Sequence, residues 1–152
     1  MAQAAESYAP VRMSTPQSRL IAGAIAGIVG GTAFGAIMGM MGMLPMVGSL
    51  IGSQSAGSGL MVHLVISAII GAGFGLLLGD RSTTLGTGAL WGTSYGIVWW
   101  ILGPLLIMPL MMGMGPQFGM AFSPPMLMSL LGHIVYGALL GVAHPSIARR
   151  LA

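Results

Sequence analysis

The chain is expected to fold as an all-α polytopic membrane protein: four transmembrane helices, built as two copies of a glycine-rich helical hairpin, with both termini in the cytoplasm. Three observations carry that expectation. The 152 residues are 55% hydrophobic and only 5% charged, whereas a soluble domain carries about a quarter charged residues. Nothing from Leu20 to Gly79 or from Ser82 to Ala148 is an acid, a lysine or an arginine. Each of those stretches fits two crossings of a hydrocarbon core about 30 Å thick, at roughly 20 residues apiece. The five arginines, Arg12, Arg19, Arg81, Arg149 and Arg150, fall before the first span, between the second and third, or after the fourth. The positive-inside rule then places both termini and the central loop in the cytoplasm.

The spans follow in order. Thr15-Pro16 reads as a cap followed by a first-turn proline, and the apolar run continues from Leu20 to about Leu44, where Pro45 stops it. The second span runs from Met61 to Gly79 and the third from about Ala89 to Met112. The fourth runs from Pro124 to Ala143, with Ser123 placed to cap it. This divides the chain into a cytoplasmic tail over residues 1–19, one membrane domain over 20–143, and a cytoplasmic tail over 144–152. Residues 1–19 lack the short apolar core and small-residue cleavage site of a secretory signal, so the N-terminus is expected to be retained.

The two halves resemble each other. Gly23-Ala-Ile-Ala-Gly27 with Gly31 aligns with Gly88-Ala-Leu-Trp-Gly92 with Gly96, and Met43-Leu-Pro45-Met with Ile107-Met-Pro109-Leu. Ser67, Gly71, Gly75 and Gly79 align with Ser129, His133, Gly137 and Gly141. Two helices per copy means that both copies enter from the same side, a parallel repeat over residues 20–79 and 88–143 with its axis along the membrane normal. Gly23, Gly27, Gly31, Gly35 and Gly39 recur every four residues, which puts them on one face of the first helix. Lipid gives helices no hydrophobic drive to associate, so small residues that let backbones approach act as the packing device. Gly71, Gly75, Gly92, Gly96, Gly137 and Gly141 are expected to do the same on the other helices, and the faces serve packing within the chain, or a homo-oligomer or partner subunit.

Of the 15 methionines, all but Met1 and Met13 lie at the outer ends of the spans and in the two outer loops. Thioethers suit Cu(I), and Met108 and Met112 stand one helical turn apart, so with His63 they form a candidate metal site. The same residues also serve as flexible apolar filler. His133 is the one histidine deep in a span, and an ionisable residue there is a functional candidate, as a ligand to haem or pigment magnesium, a partner for a quinone, or a hydrogen bond to a neighbouring carbonyl. Aligning His133 with Gly71 puts it about 12 Å deeper than His63 at 1.5 Å per residue, which argues against a shared bis-histidine haem. Trp99 and Trp100 sit mid-span, and Pro104 withholds a hydrogen bond from the carbonyl of Trp100, so a kink is expected beside the two indoles. With His133 they form the candidate cofactor contact, although filling space against glycine faces accounts for them as well.

Several classes are excluded or disfavoured. No cysteine is present, which removes disulfides and thiolate metal sites. Gly92-Thr-Ser94-Tyr-Gly96 matches the pattern of a serine-hydrolase elbow, but that elbow needs a strand-turn-helix context, and here it lies inside a helix. The absence of any carboxylate in a span argues against ordinary proton or sodium coupling. The formal charge of +3 is explained by membrane orientation, so no nucleic-acid partner is expected.

The segments Tyr95-Gly-Ile-Val-Trp-Trp-Ile-Leu-Gly-Pro104 and Gly132-His-Ile-Val-Tyr-Gly-Ala-Leu-Leu-Gly141 resemble those of small four-helix bacterial inner-membrane proteins of unknown function. The resemblance implies a bacterial inner-membrane setting and no particular activity. The expectation for function is a non-enzymatic accessory or scaffold subunit of a larger membrane complex, possible settings being respiratory or photosynthetic. The outer loops, Met46 to Leu60 and Gly113 to Ser123, are uncharged and partly apolar, as surfaces covered by lipid or a partner are. The alternatives are a Cu(I) or small-solute conduit through the outer methionines, and a subunit that contacts pigment, haem or quinone through His133.

Overall fold

A computed structural model of the chain describes residues 15–151, and within them every regular element is helical. The order is α1 (Pro16–Met40), α2 (Leu44–Gly48), α3 (Ala56–Leu78), α4 (Leu85–Leu102), α5 (Met108–Met111) and α6 (Pro124–Leu151). A π-helical turn over Gly103–Ile107 joins α4 to α5. Four helical segments, 16–40, 56–78, 85–111 and 124–151, are long and apolar enough to cross a membrane. The chain is therefore a four-helix membrane protein by length and composition.

The helix starts have local causes. The Thr15 side chain accepts from the Ser18 N–H at 3.1 Å, the Ser55 side chain from the Ser58 N–H at 3.1 Å, and Thr84 with Thr87 forms a reciprocal capping box. At Ser123 the contact is made by the backbone, whose carbonyl accepts from Leu127 N–H at 3.0 Å. α1 ends just before Gly42 (φ 67°) and α5 just before Gly113 (φ 74°), left-handed positions that glycine occupies without steric cost.

Several expectations about extent are corrected. The first span ends at Met40 rather than about Leu44, and Pro45, expected to stop it, instead sits in the first turn of α2, where its missing N–H costs nothing. α3 begins at Ala56 rather than Met61, because Ser55 supplies the cap earlier. α6 does not stop at Ala143 but runs to Leu151 with Pro145 inside it, so residues 144–151, expected as a tail, are helical. The N-terminal tail expected over 1–19 is described only from Thr15, and Pro16 already begins α1. The expected disturbance at Pro104 takes the form of the π turn: the Met108 N–H reaches back to the Gly103 carbonyl, five residues away, and the wider turn accommodates the missing donor.

The helices lie in the order α3, α1, α6, α4, with α1 packed on both α3 and α6, and α4 packed on α6. α3 and α4, at the two ends of that row, barely touch. α1 is accordingly the central helix, with Ala22 and Ala26 fully buried. It turns one small-residue face, Gly23 and Gly27, to α3 and another, at Gly30, to the backbone of Tyr136 on α6. A Cβ at Gly23 would collide with the Gly71 carbonyl, and a Cβ at Gly88 with the Gly141 carbonyl, so in both hairpins the backbones themselves are in contact. An ion pair between Arg19 and Asp80 ties the start of α1 to the end of α3. The Arg149 side chain donates to the Thr83 carbonyl at 3.4 Å, which brings the end of α6 to the same end of the bundle.

Candidate functional site

Where α3 and α4 separate, the methionine-rich end of the bundle holds a cavity of about 420 Å³. Its floor is Phe34 and Met38 of α1 with Tyr136 of α6. Val62, His63 and Ile66 of α3 form one wall, and Trp99, Gly103, Pro104 and Met108 form the opposite wall. Met46, Val47, Met111 and Met126 close its end. Ile66, Ile107 and Met111 are exposed at the rim, so the cavity opens on the apolar surface that the long helices turn outward. The wide π turn shapes one wall directly, since Gly103, Pro104 and Ile107 all line the cavity.

The cause of the separation is legible along the helix faces. Residues one turn apart on α3 that meet α1 are Gly75, Gly71, Ser67 and His63, and on α6 the residues that meet α4 include Gly141, Gly137 and His133. Size increases toward the methionine-rich end in both. At Gly23 and Gly27 a Cβ would strike backbone atoms of α3, whereas at Gly31 and Gly35 it would meet side chains, of Ser67, Leu60 and His63. The face between α1 and α3 acts as a wedge, while α4 and α6 keep backbone contact as far as Gly96 and His133, and the cavity lies beside the opened face.

Phe34 stands between the two histidines of the site. Its ring meets His63 edge-on, centroids 5.2 Å apart at 87°, and His133 at 4.8 Å and 64°. It is held there by Gly132, where a Cβ would overlap the phenyl ring. The two histidines therefore lie at a common depth, which corrects the expected difference of about 12 Å. The error lay in pairing His133 with Gly71. Gly71 packs against Gly23 and Gly27 as Gly141 packs against Gly88 and Gly92, so the counterpart of Gly71 is Gly141, and that of His63 is His133.

Each imidazole is oriented by a backbone carbonyl. His63 Nε2 donates to Gly31 O at 2.9 Å across to α1, and His133 Nδ1 donates to Ser129 O at 2.8 Å on its own helix. A carbonyl can only accept, so in each neutral ring the bonded nitrogen carries the proton and the other, Nδ1 of His63 and Nε2 of His133, is left with a lone pair. Gly103, on the opposite wall, lies toward His133 Nε2: a Cβ built there would be 4.0 Å from it. Tyr136 and Tyr95 spend their hydroxyls on structure, donating to Ser67 O at 2.8 Å and Ile70 O at 3.0 Å.

The residues expected to contact a cofactor divide. His133 and Trp99 line the cavity, but Trp100 is buried away from it and its Nε1–H donates to Met126 O at 3.0 Å, joining α4 to the start of α6. The expected metal set also divides. Met108 and His63 line the cavity, while Met112 lies past the end of α5, exposed and outside the lining, because the helix ends before a further turn forms. Met111 takes the place expected for it. Among the described residues no group of three or more His, Cys, Asp or Glu is placed to hold a metal. Of the packing glycines, Gly31, Gly35, Gly75, Gly92, Gly96 and Gly137 make close contacts, and Gly39 meets only the Leu44 side chain at 3.5 Å. Phe34, Gly132 and Gly30 were not singled out by spacing. A glycine opposite a phenylalanine carries no periodic signal until the pairing of helices is known.

His144, the third histidine, is buried at the opposite end against Phe74, centroids 5.6 Å apart, and neither ring nitrogen has a hydrogen-bond partner among the described residues. It takes no part in the cavity. No protein-family model, no curated protein and no solved structure matches the chain.

Proposed function

We propose that this chain is a non-catalytic accessory subunit of a bacterial inner-membrane complex, with both termini in the cytoplasm, that holds a membrane-dissolved apolar ligand in the cavity between α3 and α4. The observation that carries the reading is the cavity itself: apolar, open on the outward apolar surface, and furnished with two oriented imidazoles. Ligand sites are concave, mostly apolar and equipped with a few placed polar groups, and a lateral opening admits a ligand that never leaves the bilayer. The accessory role is supported by apolar outward faces that a neighbouring subunit would cover. A duplicated hairpin, with its axis along the membrane normal, accounts for the like contacts of α1 with α3 and of α4 with α6.

The test is gentle purification of the tagged protein, followed by mass spectrometry of co-purifying chains and of the organic extract. The expected result is stoichiometric partner subunits together with an apolar small molecule that is lost when Ile66→Trp fills the cavity. A protein that runs alone in a native gel sinks the accessory role, and an extract unchanged by Ile66→Trp sinks the ligand site.

A second reading, a Cu(I) site or conduit, is favoured by one observation: Met38, Met43, Met46, Met108, Met111 and Met126 line the same cavity as the two histidines, and thioether with imidazole suits Cu(I). Metal content that persists after Met108→Leu, Met111→Leu and His63→Leu are combined would eliminate it.

A further inference from the structure

We infer that the ligand of this cavity is a dihydroxy-aromatic molecule with a hydrocarbon tail, a hydroquinone of the isoprenoid kind, whose hydroxyl donates to His133 Nε2 and whose second hydroxyl reaches toward His63. The inference rests on the ligand-binding reading above and deepens it by fixing the ligand's polarity. Both imidazoles have committed their single proton to a backbone carbonyl, at Gly31 and Ser129, so each offers the cavity a lone pair. Tyr136, which lines the site, has likewise turned its donor to the Ser67 carbonyl, so the donors left in the lining are the Trp99 indole and the hydroxyls of Ser67 and Ser129, beside the two imidazole acceptors. The histidines thus recognise a donor, and an apolar molecule brings donors into lipid as hydroxyl groups. Two acceptors on separate helices, α3 and α6, on either side of Phe34, suit a ligand that carries two hydroxyls. The Phe34 and Trp99 rings supply flat walls for an aromatic head, and the exposed rim at Ile66 and Ile107 lets a tail leave into the bilayer.

The experiment uses the purified full chain in lipid nanodiscs without oxygen, and three probes: a short-tailed isoprenoid hydroquinone, its oxidised quinone and its dimethyl ether. Ligand retained over empty nanodiscs is measured by mass spectrometry. The hydroquinone is expected to bind about five- to tenfold more tightly than the ether, which cannot donate, because an unfilled buried acceptor is costly. In His133→Phe that preference disappears while uptake of the ether persists, and His133→Gln, which restores an acceptor, recovers part of it. Equal retention of all three probes by the unaltered protein overturns the hydroquinone assignment and leaves the apolar-ligand reading standing. Retention of none of them overturns both. A quinone held more tightly than the hydroquinone likewise overturns the assignment, since it would put the ligand's oxygens on the Trp99, Ser67 or Ser129 donors instead of on the imidazoles.

Discussion

The two ends of the bundle use the same four helices in opposite ways. At the charged end, Gly23 with Gly71 and Gly88 with Gly141 bring backbones into contact, and nothing but carbonyl and Cα atoms separates neighbouring helices. At the methionine-rich end, Ser67 and His63 hold α3 off α1 by their side chains while His133 still meets Gly96 of α4 through its backbone, and a cavity of about 420 Å³ remains between α3 and α4. The difference shows how a packing face encodes shape. A row of constant small residues makes a seam, and a row that grows in size makes a wedge. Methionine, unbranched and adaptable, lines the irregular space that the wedge creates.

The largest expected effect on this contrast comes from Phe34→Ala. Phe34 braces the wedge, filling the space between two histidines and the bare backbone at Gly132. Its truncation is expected to cost about 3–5 kcal/mol, read by unfolding in mixed detergent micelles, and to leave His63 and His133 without their common partner. A loss below about 1 kcal/mol, on the same scale of core truncations, would mean that the wedge is held open by the helices alone.

A smaller effect separates the seam from the rest of the glycines. A Cβ at Gly141 would meet the Gly88 carbonyl and the Gly92 Cα, none of which can rotate away, whereas a Cβ at Gly57 meets nothing within 4 Å. Gly141→Ala is therefore expected to destabilise by about 1–3 kcal/mol. Gly57→Ala, at an exposed helical position, is expected to stabilise by about 0.4–1 kcal/mol. Equal responses of the two in the same unfolding assay would remove the seam as a distinct device.

The smallest effect sharpens the boundary between seam and wedge. There the Tyr136 hydroxyl on α6 reaches the Ser67 carbonyl on α3, over the face of α1. Tyr136→Phe removes that bond alone, and interhelical hydrogen bonds in membranes are worth about 0.6 kcal/mol on average. The expectation is a shift of that order with ligand retention unchanged. A loss of ligand would instead place this hydroxyl, rather than the imidazoles, at the head group.

Much of this was legible in the sequence, and for stated reasons. Four spans follow from the composition, because a backbone in lipid must satisfy its own hydrogen bonds and a helix of about 20 apolar residues does so. The caps at Thr15 and the disturbance at Pro104 follow from which backbone groups lack partners, a local matter. The close contacts of Gly23 and Gly27 follow from their spacing on one face. The roles of Trp100 and Met112 did not follow, because each depends on a direction across the bundle that spacing along one helix does not contain.

The common depth of His63 and His133 is the clearest case of what tertiary structure alone decided. Aligning the halves by residue type paired His133 with glycine, since a small residue and a histidine one turn apart fit either register. Only the contacts of Gly71 with Gly23 and of Gly141 with Gly88 fix the register of each hairpin and bring both imidazoles to Phe34. The sequence by itself determined that the chain is helical, apolar, four times spanning and faced with glycine, because those properties are set by composition and period. Which faces meet, how far they stand apart and what lies in the gap were decided by packing, because the relative shift and rotation of two helices is a property of both surfaces together and is written in neither alone.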